Sequence, residues 1–337
     1  VNIPDLRYDC LHCGYSCQGL EVELSSIEYE ALRSLDPQAV TEKRDRHWLR
    51  KRECGACHFL SAEESGGRCL LHSSYGPQSK PAACREFPFR ALATPGGVFL
   101  GASFACRAIL ERHGPPVDVV EAQVRELPPY PLAPGLDMNW PHYQSWERRV
   151  ARRLEEQGGL GLWTAALELT LEVLQAPARE PKPSLDDDLQ ASFRGLLALA
   201  EGPSDESELL AILQALAQRG AYTSRLLGGP VDVGAVLDSW QEPWSLWPEV
   251  EPFFQHLLFR KYLLEGPDVH SRVCSLPIMA QLLEFLVLAR AGNRPASLAH
   301  AHWAIRTLEE RLTFHARGLE LYLGRCGQAF LRGLAPA

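Results

Sequence analysis

The residues that could do chemistry in this chain are its cysteines. Eight of the ten fall between Cys10 and Cys106, in the order Cys10, Cys13, Cys17, Cys54, Cys57, Cys69, Cys84, Cys106. The spacing is C-x2-C-x3-C, a long gap, C-x2-C, then single cysteines at widening intervals. Two cysteines separated by two residues can present both thiolates to one cation from a tight turn. Two such pairs in one segment point to metal ligation. Two other readings explain less. Small buried core residues would not crowd into one third of the chain. A disulfide framework suits short secreted domains, whereas this chain has 337 residues, 46% of them hydrophobic, and can build its own core. The eight are therefore candidate metal ligands, enough for two four-thiolate sites or for one cluster with spare thiols. Cys274 and Cys326 lie in apolar helical patterns and read as core thiols.

Thiolate donors suit zinc and iron–sulfur clusters equally, so softness does not choose between them. Cys10/Cys13 with Cys54/Cys57 resembles the two knuckles of a structural zinc site. Three cysteines within eight residues (Cys10, Cys13, Cys17) plus one distant partner is instead a way of holding a 4Fe-4S cubane. The order C-x2-C-x3-C reverses that of radical S-adenosylmethionine enzymes and carries no such chemistry. Arg85, Arg90 and Arg107 lie close in sequence to cysteines. They could bind an anionic group of a cofactor or substrate, and the reading preferred on electrostatic grounds is that they offset thiolate charge. His12, His58 and His72 also neighbour cysteines, where a histidine is more often a donor to thiolate sulfur than a ligand.

These residues carry a family resemblance. Cys10-Leu11-His12-Cys13-Gly14-Tyr15-Ser16-Cys17 resembles the CxxCGxCC opening of the YkgJ-type cysteine-cluster proteins, a family described as zinc- or iron-chelating. Cys57-His58-Phe59-Leu60, Gly67-Arg68-Cys69, Tyr75-Gly76-Pro77 and Pro81-Ala82-Ala83-Cys84-Arg85-Glu86-Phe87-Pro88 are similar to its later elements. Ser103-Phe104-Ala105-Cys106 resembles its closing one. The paired Cys-Cys of the family is broken here, with Ser16 and Gln18 flanking Cys17, so one family ligand is absent or replaced. His72, three residues after Cys69, is the best-spaced replacement. Cys13 to Val22 is also similar to the opening of the flagellin lysine-N-methylases, and the helical tail from Phe253 to His315 loosely so. That subgroup resemblance implies an iron–sulfur cluster and transfer of a methyl group from S-adenosylmethionine to lysines of a protein or peptide partner. The alternative is a non-enzymatic zinc-binding structural or interaction module.

Other elements must position these side chains. Ser25-Ser26-Ile27-Glu28 reads as a capping box opening a helix over 27–35, after a short strand near 20–24. Residues 54–84 show little periodicity, so metal binding is expected to supply much of their folding energy. A hairpin is expected over 90–94 and 98–103, around Pro95-Gly96-Gly97, and a short helix over 118–127. The basic run from Lys43 to Arg52 could dock phosphate with Trp48 as a stacking surface, but reads more simply as a solvated loop. Pro128 to Gly135 is a stiff extended connector. Beyond it, helices are expected over 142–157, 160–175, 185–201, 205–219, 231–241, 246–265, 276–291, 297–316 and 318–334. Aromatic and histidine clusters there (Trp240, Trp244, Trp247, Phe253, Phe254, Phe259; His300, His302, Trp303, His315) read as core packing.

The expected fold is mainly α: a small, irregular, metal-organised domain with a short hairpin over 1–115, a Pro-rich connector over 116–140 and an all-α domain over 141–337. No glycine-rich loop follows a strand in a βαβ context, so no Rossmann-type donor site is legible. Residues 1–115 hold 14 Lys/Arg against 14 Asp/Glu, so the net charge of −8 lies in the remainder, which argues against nucleic acid as a partner. No apolar run of membrane-spanning length and no basic–apolar–small leader order are evident, so no membrane partner is expected. Cysteines at this density point to a reducing cytoplasm.

Overall fold

The computed structural model describes residues 5–43, 45–61, 67–118, 122–176, 211–212, 220–224, 226–239, 245–310 and 319–334. The chain divides into two compact units, one of residues 1–93 and 97–125, the other of residues 94–96 and 126–337.

In the first unit, a one-turn helix α1 (Ser16–Gly19) leads to strand β1 (Glu23–Leu24) and helix α2 (Ser26–Leu35). The capping box forms as the sequence indicates. The Ser25 hydroxyl accepts from the Glu28 N–H at 3.3 Å, and Glu28 Oε2 accepts from the Ser25 N–H at 2.9 Å. Strands β2 (Val40–Lys43) and β3 (Arg46–Leu49) form an antiparallel hairpin, and β1 pairs with the far edge of β3. The basic run is thus largely a strand rather than a loop. Alternation decides this, because Val40 and Leu49 face the core while Arg46 lies outward over Trp48 at 5.8 Å.

The segment expected to bury little apolar surface supplies much of this core. Ala56, Cys57, Phe59, Leu60 and Leu71 are buried together with Leu24, Leu32, Val40 and Leu49. Helices α3 (Leu70–Tyr75) and α4 (Ala82–Glu86) follow. Strands β4 (Phe89–Thr94) and β5 (Gly97–Ala102) form the expected hairpin, and helix α5 (Arg107–Leu110) follows it. The helix expected over 118–127 is not observed where the chain is described. Val124–Arg125 is instead strand β6, parallel to Ala91 and Leu92 on the open edge of β4. An unpaired strand edge outweighs a short segment's helical preference.

The second unit is mainly helical: α6 (Trp140–Gln157), α7 (Gly159–Gln175), α8 (Val233–Asp238), α9 (Trp247–Phe259), α10 (Val269–Ala291), α11 (Leu298–Leu308) and α12 (Leu319–Leu334). It is not all-α. Ala221–Ser224 and Gly229–Asp232 form an antiparallel hairpin, β7–β8, whose turn signal is Gly228-Gly229. The expected helices over 185–201 and 205–219, with Trp240, Trp244 and His315, lie mostly or wholly outside the described residues. The 246–265 segment breaks at Lys261, which adopts a left-handed conformation (φ 66°) while its ammonium reaches Glu147 at 2.5 Å. The core reading holds for Phe253 and Phe254, which are buried, with Trp247 stacked on Phe254.

The central α10 packs against α7, α11 and α12. It begins seven residues before the expected start, at the Asp268 N-cap, and carries Pro277 in its interior. Proline removes one ladder hydrogen bond, and burial on almost every face compensates. Two N–H groups of its first turn donate to the connector: Val269 to the Pro131 carbonyl at 3.0 Å and His270 to that of Leu132 at 2.9 Å. The connector is therefore docked there, with Leu132 and Leu136 buried. Contrary to expectation, α10 is long and apolar enough to cross a membrane by composition, but it lies mostly buried in this unit. Its His270 is paired inside the unit, 2.9 Å from Thr170 Oγ1 and 3.0 Å from Gln328 Nε2, and the Arg260–Glu309 ion pair (2.6 Å) of the same unit is buried. Buried charges are tolerated when paired in this way.

Glu28 makes one contact that the capping box does not require. Its Oε1 accepts from the Ala82 N–H at 2.7 Å, tying α2 to the start of α4. Partial burial would raise its pKa, but the N–H groups of Ala82 and Ser25 and the Ser25 hydroxyl outweigh that and lower it. The contribution is therefore fully present above the ordinary 4.5 and is lost as pH falls through the depressed native value. Glu28→Ala should lower unfolding stability by about 1–2 kcal/mol at pH 7. In urea titrations that deficit should shrink as the pH is taken well below 4.5.

Candidate metal centre

Four of the predicted ligands converge. Cys17 is carried on α1, and its N–H bonds to the Gly14 carbonyl at 3.1 Å. Cys57 follows a tight turn, and its N–H donates to the Cys17 carbonyl at 2.8 Å. Cys69 bridges Leu60 and precedes α3, while Cys84 lies within α4. Each of these four thiols is an electrostatic neighbour of the other three.

Close backbone approach brings the segments together. Gly14 has φ +61°, and a Cβ there would stand 2.8 Å from Leu60 Cδ1. A Cβ on Gly67 would run into the same Cδ1, and one on Gly14 would stand 3.1 Å from the Gly67 Cα, so the two glycines meet beside Leu60. The loops bearing Cys17 and Cys69 thus both rest on Leu60, three residues after Cys57. Glycine is needed at both points, at Gly14 for its left-handed backbone as well as for space.

Two lysines attend the four thiols. Lys51 Nζ donates to the Cys17 carbonyl at 2.9 Å and acts electrostatically on Cys17 and Cys57, while Lys80 acts on Cys17 and Cys84. Sequence reasoning missed both as site residues. Lys51 lay within the basic run, and Lys80 stands four residues before Cys84, where proximity to a cysteine was a usable signal.

A second set lies apart. Cys106 has Cys13 and Cys10 as electrostatic neighbours, and Tyr8 has Cys10 and Cys106. Neither expected grouping is therefore what the structure brings together. Cys17 is gathered with Cys57, Cys69 and Cys84, and Cys106 has Cys13 and Cys10 as its thiol neighbours. Chain separation explains this, because Gly14 turns the backbone between Cys13 and Cys17. Cys54 is exposed and is a principal neighbour of neither set.

The arginines differ from one another. Arg85 is exposed and donates to the Lys80 carbonyl and to that of Gln78 at 3.4 Å, so its guanidinium is engaged by backbone. Arg107 is paired with Glu111 at 2.7 Å and also has Cys13 as an electrostatic neighbour. Arg90 is half-buried. Of the histidines, His58 is held by Asp36 at 2.7 Å, His72 is exposed on α3, and His12 Nδ1 lies 4.0 Å from Cys10 Sγ. Cys274 is buried beside Thr170 and Cys326 is half-buried, both on helices of the second unit.

All ten cysteines are free thiols. Among the described residues, no three His, Cys, Asp or Glu side chains are closed up into a geometry that would hold a single metal ion. The four-thiol set still fits a metal centre by its chemistry. It is a soft, anionic-when-deprotonated donor set with two cations beside it. Four thiolates around a dication leave two negative charges, and Lys51 and Lys80 match that number.

Residues 9–104 match the model of the CxxCxxCC family, whose description is "Putative zinc- or iron-chelating domain". The match spans Cys10 to Cys84 and supports metal binding by the cysteine region. No curated protein matches the chain, and no solved structure matches it. The flagellin lysine-N-methylase resemblance gains no support from these comparisons.

Burial, and then the neighbouring thiols Cys57 and Cys69, push Cys17 up to about 11. Burial, and then Cys17 and Cys57, push Cys84 to about 12, against an ordinary 9.0. In the metal-free chain the protonated thiols are favoured by folding. That stabilisation is complete below the unfolded value and is lost as pH rises through the native ones. The urea midpoint of metal-free protein should therefore fall between pH 9 and 11, and Cys84→Ala should flatten the fall.

Proposed function

We propose that Cys17, Cys57, Cys69 and Cys84 hold one metal centre, an iron–sulfur cluster, that organises the first unit for a binding function. The observation that carries this is the mutual neighbourhood of four thiols drawn from four separate segments. The matching family is described as zinc- or iron-chelating, and cysteines from separate segments converging on one centre suit a multi-iron cluster held by thiolates. A cluster of this kind supplies redox or structural chemistry when bound. The residues around it gather and desolvate the thiols, and Lys51 and Lys80 offset their charge. Free thiols in this number suit a reducing compartment.

A finer reading adds catalysis: methyl transfer from S-adenosylmethionine to a lysine of a protein or peptide recognised by the helical unit. It rests on the resemblance of Cys13 to Val22 to the lysine-N-methylases. Methylated lysine on a co-expressed partner would support it, and absence of S-adenosylmethionine binding to cluster-loaded protein would remove it.

Oxygen-free purification should yield brown protein with iron, sulfide and a broad absorption at about 400 nm. Cys84→Ser should abolish the colour, whereas Cys54→Ser should retain it. Colourless protein carrying stoichiometric zinc, lost in Cys84→Ser, would replace the cluster with a zinc module on the same residues. Metal content unchanged in Cys84→Ser would remove this site.

A further inference from the structure

Buried polar groups of the second unit form a continuous chain. Helix α12 lies on α10 at backbone range: a Cβ on Gly324 would run into the Ser271 carbonyl oxygen, and one on Gly327 into that of Cys274. Beside these glycines α12 turns Arg325 and Gln328 inward, where Arg325 reaches Asp268 at 3.4 Å and Gln328 reaches His270 at 3.0 Å. His270 is fully buried and bonds on its other side to Thr170 of α7 at 2.9 Å. The directions of these bonds fix the state of the ring. Thr170 gives its own proton to the Ala166 carbonyl at 2.7 Å, so it accepts from His270 Nε2–H. Gln328 Oε1 accepts from Arg325 at 2.8 Å, which turns the amide nitrogen of Gln328 toward His270 Nδ1. Nδ1 is therefore a bare acceptor, and the ring is the neutral tautomer protonated on Nε2.

We propose that His270 is a proton sensor: neutral, it holds α12 against α10, and protonated, it loosens α12 while keeping its bond to α7. A proton on Nδ1 would set two donors face to face across 3.0 Å. Turning the Gln328 amide over only moves the conflict, because its nitrogen would then meet Arg325. Nε2–H still donates to Thr170 in the charged ring, so the break falls on the α12 side alone. Among the described residues, the charges around the ring and around Cys274, one turn along α10, act the same way. Asp268 comes from α10, and Arg325 and Arg332 come from α12. Burial pushes the Cys274 thiol up to about 12, so it adds no charge. The carboxylates of α7, Glu168 and Glu172, are turned to Arg153 and His142, and the connector presents the Leu132 carbonyl to the His270 N–H. Two guanidiniums against one carboxylate disfavour a further cation. A histidine released from such a site takes up its proton at about pH 6.5. Docking of α12 is therefore complete above that value and weakens as pH falls below it.

Amide hydrogen exchange on the full-length chain reads the helices separately. From about pH 7.5 to about pH 5.5, protection of α12, corrected for intrinsic exchange rates, should fall about tenfold, the factor for one proton gained on opening by an ordinary histidine. Protection of α7 should not change. His270→Gln, neutral at both pH values, should remove the fall. Gln328→Glu, which offers the charged ring an acceptor, should reverse its sign. In the unsubstituted chain, the ring-nitrogen NMR shifts of His270 should show Nε2 protonated and Nδ1 bare at the higher pH.

Equal α12 protection at the two pH values would overturn the sensor, as would a fall that persists in His270→Gln. A parallel loss in α7 would mark general acid unfolding and overturn it too. A His270 ring that carries its proton on Nδ1 at the higher pH would contradict the bond directions on which the inference stands. Should His270→Gln fail to fold, Gln328→Glu decides: a reversed sign supports the sensor, and an unreversed fall overturns it.

Discussion

The first unit depends on a single constraint: four thiols are gathered in one patch, where Cys17, Cys57 and Cys84 cannot ionise cheaply alone. Burial raises Cys17, Cys57 and Cys84 together, and each neighbouring thiol raises them further. Such a group is inert as free cysteine and becomes thiolate when a cation offsets the charge. Lys51 and Lys80 supply part of that offset without adding donor atoms. They act as counter-charges beside the group, a role that sequence proximity suggests for the arginines. Arg85 instead braces the turn before α4 through backbone carbonyls.

Local devices then make the patch possible. Gly14 and Gly67 close together against Leu60, and Glu28 holds the first N–H of the helix that carries Cys84. None of the three is a donor to the thiols, yet each locates a segment that bears one. The hydrophobic core around Leu60, Phe59 and Leu71 also means that metal is not the sole source of order between residues 54 and 84. The unit is metal-adapted and apolar-cored at once.

The second unit is organised by different physics. Its central helix α10 is enclosed by α7, α11 and α12, and the charges that enter the interior are neutralised in pairs such as Arg260–Glu309. The Pro131 and Leu132 carbonyls serve the start of α10, which gives the proline-rich segment a docking role that its composition did not announce. Proline in an extended run signals stiffness. Whether that stiff run hangs free or satisfies a helix end depends on what lies beside it.

The sequence alone determined the elements whose causes are local. The Ser25–Glu28 capping box, the turn at Gly14, the hairpin around Pro95-Gly96-Gly97 and the apolar helices all follow from propensities within a few residues. Cysteine spacing likewise marked the metal-binding region, because thiolate chemistry is a property of residue type. Only the tertiary structure decided which cysteines meet. Cys17 lies four residues from Cys13 but is gathered with Cys84, because a left-handed glycine between them sends the two thiols apart. The same holds for Val124–Arg125, which became a strand because an edge of β4 was available. Hairpin β7–β8 had a turn signal that nothing in a helical context singled out. Helix α10 passed through Pro277 because enclosure outweighed one lost hydrogen bond. Grouping, edge pairing and burial are relations between distant segments, and their energies appear only when those segments are packed.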